Sequence, residues 1–463
     1  MPELSRRDAL TAAALLPVLP PLAAPTLAQP PARTEREVGR RPLFGAVEWR
    51  LANGLRVVLA ENRRAPVAAH YLYVAAGAGD DPAGRSGVAH FLEHMAFKGS
   101  PGVPSGAFSR TVANEGGQDN AFTSRDVTGY FQIVEASRLP LMMRMEADRL
   151  GGVLMPAAEV EPERGVILEE RRSRVVANPR ARFMEAFDAA MWGPQHWRGR
   201  PLIGWEEEIR AISRQDMLDF NARFYGPGNC VLVVAGDVRE AELRRWAEEF
   251  YGPIPARAPI TRDRAAPPAR SPQARLEARD PAVREASFIH AFAAPSATWG
   301  DTALADPLEV VGHALGGGTG SRLHGALVES GLAVGAGASY DGDAYGVGTL
   351  TIFATPRPGV RPAQIEHALR DTVARLVQEG VSEAETRRAI RQMTAGNLLA
   401  LDGLGAAPRM IGGSLAIGLP LSDVEFWAEK LSRVTAGQAT AAARAVLRDN
   451  PVSTAGWLLP AAA

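Results

Sequence analysis

Residues 86–100, SGVAHFLEHMAFKGS, set His90, Glu93 and His94 within five positions of a chain that has eight histidines in 463 residues. The pattern is helical, and on a helix positions four apart lie about 40° apart around the axis, so the two imidazoles project side by side. Two histidines so placed can share one Zn2+ at ~2.1 Å each. Glu93 falls on the same face, beside such a metal but poorly set to chelate it together with both rings. That position suits it to hold a water and take its proton. A catalytic zinc needs a third protein ligand and an open position. Taken alone the turn also fits a solvated helical face, so the rest of the chain must supply the missing ligand.

Apolar residues make up 46% of the chain and charged residues 22%, the balance of a soluble globular protein with material for two or three domains. A formal charge of −1 offers no field for nucleic acid or for a polybasic membrane contact. Residues 1–28 read as an export signal: Arg6 and Arg7, an apolar run, then Thr26, Leu27 and Ala28 as a small-residue cleavage site. Twin-arginine and Sec routes both fit. Pro17, Pro20 and Pro21 break a run already short of the ~20 residues a membrane anchor needs. The expected mature protein is therefore periplasmic or exported, without a membrane anchor. Residues 29–42 form a Pro- and Arg-rich lead-in. The single cysteine, Cys230, sits in an apolar strand pattern and excludes both an internal disulfide and a cysteine metal cluster.

Around the histidine turn, residues 47–62 alternate as a hairpin with Asn53-Gly54 at its turn, and 67–77 read as a strand. Helices are expected at 86–99, 104–115, 137–151 and 158–176, with strands at 120–135 and 229–238. Residues 254–274 are a linker by composition. Beyond it the order recurs. EASFIHAFAAP (285–295) answers the strand at 67–77, residues 306–327 answer the histidine helix, GVGTLTIFATP (346–356) answers the strand ending at 135, and VSEAETRRAIRQM (381–393) answers the charged helix. These repeats imply an α+β chain of two homologous domains, 43–253 and 275–460, each a mostly antiparallel sheet packed with helices. The chemistry belongs to the first. In the second, glycines stand for His90 and His94, and Gln392 answers Glu170.

H-x-x-E-H is the reverse of the commoner zincin motif. Here the chain resembles the pitrilysin-like M16 zinc metallopeptidases of the M16B type and is similar to the catalytic subunit of the mitochondrial processing peptidase. HFLEHMAFKGS (90–100), GGQDNAFTSRDVTGYF (116–131), ERGVILEE (163–170, with Ile167 for the family's Val) and residues 200–238 match family blocks in order. The resemblance implies one Zn2+ per chain, held by His90, His94 and Glu170, with Glu93 as general base. It makes Glu163, two helical turns before Glu170, a carboxylate that fixes a ligand histidine; a solvated helix-start glutamate is the alternative. It also implies that a peptide substrate adds as a strand along Asn120, Ala121, Phe122 and Thr123. The two domains would form half of a clam-shell chamber in which unfolded peptides or small polypeptides are cut.

One part of the pattern is missing. Active members of the family use an Arg and a Tyr from the second type of domain, and residues 326–340, ALVESGLAVGAGASY, place Val328 and Val334 there. Arg322 and Tyr340 are near but out of register. The expected partner is a sister M16 subunit that carries the pair, giving a heterodimer; a homodimer is the alternative. A binding or assembly subunit with a structural zinc is a further alternative. The segment LGGGTGSRL (315–323) lacks the lysine of a phosphate-binding loop and reads either as a substrate-facing loop or as a helix-packing turn.

Overall fold

A computed structural model describes residues 42–461 except positions 259 and 402. The export signal and all but the last residue of the lead-in lie outside the described residues. Strands β1 (Val47–Arg50), β2 (Arg56–Glu61), β3 (Val67–Val74), β4 (Gln118–Thr123), β5 (Thr128–Glu135) and β6 (Cys230–Gly236) form one sheet in the order β1-β2-β6-β3-β5-β4. Strands β7 (Arg275–Asp280), β8 (Ser287–Ala294), β9 (Ala333–Asp341), β10 (Gly348–Pro356) and β11 (Ser453–Pro460) form a second, in the order β7-β11-β8-β10-β9. Substituting β2, β6, β3, β5 and β4 in turn reproduces the second order. The one parallel pair falls in the same place, β2 with β6 and β7 with β11, and the other pairs are antiparallel. The sequence repeat is thus a repeat of topology, and the chain is α+β.

The β1–β2 hairpin turns at Asn53-Gly54 as expected, and Asn53 Nδ2 ties it to the Tyr251 carbonyl at 2.8 Å. The expected single strand at 120–135 is instead two strands, β4 and β5, joined by a tight turn. Ser124 makes the turn: its N–H donates to the Val127 carbonyl at 2.8 Å, while its Oγ accepts from the Asp126 and Val127 N–H groups. A serine oxygen replacing a backbone acceptor needs no Gly or Pro, so the break leaves little trace in composition.

Helices α1 (Val88–Met95), α2 (Ala107–Asn114), α3 (Leu139–Gly151), α4 (Ala157–Arg171) and α5 (Pro179–Trp192) follow in the first half, and α4 runs on through one wide π turn at 172–176. Phe91, Leu92 and Met95 of α1 and Met143 of α3 share a fully buried core with Leu72, Leu232 and Val234 of the first sheet. The opposite faces of the sheets are covered by exchange. Phe183, Phe187 and Met191 of α5 pack on Ala291 and Leu458 of the second sheet. Ile411 and Leu415 of the helix Ala406–Ala416 pack on Tyr71, Tyr73 and Val233 of the first. Each half therefore completes its partner's core.

The described part of residues 254–274 is irregular in backbone yet firmly held. The side chains of Arg262 and Arg264 are buried and meet Asp80 at 2.7 and 2.9 Å, Arg264 also pairs with Asp126, and the Arg262 guanidinium lies 4.2 Å from the centre of the Tyr345 ring. It is a strap across the junction rather than a free tether. Among the described residues no helix is long and apolar enough to cross a membrane.

Candidate metal centre

Helix α1 begins at Gly87, whose φ of +94° and whose Cβ position, 2.5 Å from the Ile203 carbonyl oxygen, admit no side chain. From that start the helix presents His90 and His94 toward α4 and Glu93 toward the end of β4. The Glu170 Oε2 atom lies 3.4 Å from His94 Nε2 and 3.7 Å from His90 Nε2. Two ligands of a tetrahedral zinc are about 3.4 Å apart when each bond is about 2.1 Å. His90, His94 and Glu170 each turn a ligand atom to within 4.8 Å of the others, so one nitrogen–nitrogen–oxygen set converges as a zinc site requires. The donor set fits Zn2+, though imidazole and carboxylate also accept other divalent metals.

The groups behind these ligands fix their direction. His94 Nδ1 hydrogen-bonds Glu163 Oε1 at 2.8 Å, which leaves Nε2 as the donor atom toward Glu170. Lys98 Nζ holds the other Glu163 oxygen at 2.5 Å. Arg174 Nη1 takes Glu170 Oε1 at 2.7 Å, so Oε2 is the oxygen presented to the histidines. Sequence reasoning missed both Lys98 and Arg174: Arg174 stands four residues after Glu170, the spacing of helical neighbours, while Lys98 lies past the end of α1 and meets Glu163 only through the fold.

Glu93 is buried beside the triad but is not a member of it. Thr123 Oγ1 donates to Glu93 Oε2 at 2.6 Å. Thr123 ends β4, which is the edge strand of its sheet next to β5. Asn120, Ala121 and Phe122 lie on the same strand, paired with Phe131, Tyr130 and Gly129. The Ala121 N–H is occupied by the side-chain oxygen of Asn120 at 2.9 Å, so it points away from β5 along the outer edge. The Phe122 ring packs against Tyr73 and over Gly129, which commits that side chain to the fold.

The charges around the three residues set how they take up a cation. Burial, and then the neighbouring His94, hold His90 down to about 4, so it is neutral at pH 7. Burial would lower His94 as well, but hydrogen bonds to Glu163 and Glu170 and the charge of Glu93 raise it to about 9. The His94 hydrogen bond, opposed by burial and helped by Lys98, pulls Glu163 to about 2. A ligand histidine must be neutral, so zinc has to displace the His94 proton. Because that pKa is raised, the competing proton is bound below about pH 9 and absent above it. We therefore expect about one proton released per zinc at pH 7, and an apparent affinity that rises about tenfold per pH unit up to about 9. Titration calorimetry in buffers of different ionisation enthalpy reads this directly; proton release near zero at pH 7 would exclude it.

Among the described residues the second half has no such cluster, and its packing shows a reason. Gly312 and Gly316 of the helix Ala305–Gly316 sit directly on β9, and a Cβ at Gly316 would lie 1.9 Å from the Ala338 nitrogen. At Gly316 the gap that holds a side chain in the first half is closed, while a Cβ at Gly312 would meet Tyr340 at an ordinary 3.5 Å. The sequence comparison saw only glycines there; the structure adds His313, whose Nε2 meets Gln392 Oε1 at 3.0 Å. Glycine 316 thus supports the packing alternative for its segment.

Residues 56–203 match the family model described as insulinase (peptidase family M16), and residues 211–393 match the peptidase M16 inactive domain. An uncharacterized zinc protease of Mycobacterium leprae is 30% identical over 411 residues, covering 87% of this chain and 89% of that protein. The chain belongs to peptidase family M16. Another M16 relative, the mitochondrial-processing peptidase beta subunit of Rattus norvegicus, is 34% identical over 202 residues, 44% of this chain and 41% of that one. The crystal structure of a protease from Helicobacter pylori aligns with a TM-score of 0.79 over 91% of this chain and all of that one, at 21% identity, a likeness of fold.

Proposed function

We propose that the chain is a zinc-dependent endopeptidase of unfolded peptides or small polypeptides, with His90, His94 and Glu170 holding the metal and Glu93 as general base. One observation carries the reading: a buried carboxylate, Glu93, stands beside the triad without joining it, held by Thr123 at the end of an edge strand. When bound, zinc supplies Lewis-acid polarisation of a peptide carbonyl and lowers the pKa of a water. Glu93 takes the proton of the attacking water on its carboxylate and returns it to the leaving amine. Thr123 keeps that carboxylate on the α1 side of β4. The outer edge of β4 offers main-chain groups to an extended peptide, whose carbonyl would replace the Asn120 side chain on Ala121 N–H. Phe122 stands in register with Gly129, so its main-chain groups face β5 and it would act by holding Ala121 and Thr123 in place rather than by bonding the peptide.

A structural zinc in a binding or assembly subunit fits less well, since such sites close with four protein ligands and need no extra carboxylate. The name of the Mycobacterium leprae relative, a zinc protease, points the same way. The missing Arg and Tyr favour a partner. Arg322 is bound to Glu385 at 2.6 and 2.9 Å and to the Gly380 carbonyl, and Tyr340 donates to the Pro295 carbonyl at 2.5 Å. Neither is available to stand in for Val328 or Val334. We infer a heterodimer with a sister M16 subunit, working outside the cytoplasm as the residues 1–28 suggest. The test is fluorogenic-peptide hydrolysis by the zinc-loaded mature chain, alone and with the sister chain. The expected result is little turnover alone and a gain of about 10²-fold or more on mixing, the size of effect one oxyanion donor has. Full activity from the chain alone would remove the partner from the reading.

A further inference from the structure

Helix α1 has two turns, and helices this short are marginal without outside support. Its first N–H groups have no partner within the helix, and its N-cap, Gly87, has no side chain to accept them. Asp81 does so from six residues upstream. It is buried, its Oδ2 accepts the Gly87 N–H at 2.6 Å, and its Oδ1 accepts the Ala89 N–H at 2.9 Å. Glu208 Oε2 takes the Ser86 N–H at 2.7 Å, and Ser86 Oγ accepts the Trp205 N–H at 2.9 Å. Three of the four N–H groups at positions 86–89 thus end on two carboxylates, and the next residue is His90.

We propose that Asp81 is a positioning residue of the metal centre: its carboxylate clamps the first turn of α1 and so fixes the direction in which His90 and Glu93 leave the helix. This deepens the zinc-peptidase reading and rests on it. A buried carboxylate is costly to keep, and burial pushes Asp81 up to about 7 against the two backbone hydrogen bonds and the nearby charge of Arg200. A neutral acceptor would satisfy one N–H at lower cost. The carboxylate meets two, and its charge faces the positive end of the helix dipole. The clamp is itself fixed. Asp80, its neighbour, carries both Arg262 and Arg264 of the strap, and Arg200 Nη1 donates to the Pro82 carbonyl at 3.2 Å. The orientation of the metal helix is thereby referred to the junction between the two sheets.

Asp81→Asn keeps the shape and one acceptor but turns an NH2 group toward a backbone N–H. In the mature chain it is expected to weaken Zn2+ binding, measured against a chelator, about 10–100-fold, as loss of a ligand-orienting partner does. The visible spectrum of the Co2+-loaded protein should change with it. In the metal-free protein, amide exchange across 88–95 should accelerate about tenfold while the second sheet keeps its protection. Parent-like affinity and exchange would overturn the proposal, and so would a uniform loss of protection, which marks a merely structural residue. If Asp81→Asn does not fold, Asp81→Glu keeps both acceptor oxygens but moves them by one methylene from the Gly87 and Ala89 N–H groups: faster exchange confined to 88–95 supports the clamp, and parent-like exchange and zinc affinity overturn it. A parent chain that binds no Zn2+ would defeat the peptidase reading, while the metal-free exchange comparison still decides the clamp.

Discussion

Glu93→Gln is expected to leave zinc binding intact and to cut peptide hydrolysis about 10²–10⁴-fold, the usual contribution of a positioned general base. Zinc should stay because Glu93 is outside the set His90, His94 and Glu170. The fold should stay because a glutamine oxygen can still accept the Thr123 hydroxyl that now meets Glu93 Oε2 at 2.6 Å. Only the ability to take a proton is lost. The comparison needs the holoenzyme with whatever partner gives full turnover, with metal content measured on the same sample. Turnover equal to the parent would move the proton transfer to another group. Zinc lost together with turnover would make Glu93 a ligand.

Much of this was legible in the sequence because it is local. The four-residue step from His90 to His94 lies on one helix, where periodicity decides which side chains share a face, while Glu163 and Glu170 were picked out through the family resemblance. The structure adds that α1 and α4 face each other, bringing Glu163 to His94 and Glu170 to both rings. What could not be read depends on how elements cross. The contact of Thr123 with Glu93 needs β4 to end beside α1, and the sequence pattern ran β4 and β5 together because Ser124 makes its turn with a side-chain oxygen. Asp81 carries no periodic signal at all, since its partners are backbone N–H groups. The strap misled through composition: prolines and arginines look solvated, but the side chains of Arg262 and Arg264 are buried against Asp80 from elsewhere in the chain. The repeat was clear from strand and helix order, yet the glycines of the second half showed only as absent histidines. Their physical role, letting a helix rest on β9, needed the third dimension.

Glu170→Gln should weaken zinc binding by about 10²–10³-fold, because ~10–16 kcal/mol of binding shared among four ligands is about 2.5–4 kcal/mol for each. An amide oxygen is a poor substitute for a carboxylate on zinc, and Gln392, at the corresponding place in the second half, faces His313 in a plain hydrogen bond. The sharper test sets it beside two substitutions of the same kind. Glu93→Gln, Glu163→Gln and Glu170→Gln each remove one negative charge from the same few ångströms around His94. If the site attracted a cation through its field alone, all three would weaken zinc by similar factors. The geometry predicts an order instead. Glu170 offers Oε2 at ligand distance from both rings and should cost most. Glu163 reaches the site only through His94 Nδ1 and should cost about 10–100-fold, as loss of a ligand's hydrogen-bond partner does. Glu93 should cost little. The Glu163→Gln variant should also release less than one proton per zinc at pH 7, since the bond that does most to raise the His94 pKa is weakened. Equal losses from all three, measured against one chelator at one pH, would mean that charge rather than coordination holds the metal, and Glu170 would cease to be distinguishable from its neighbours.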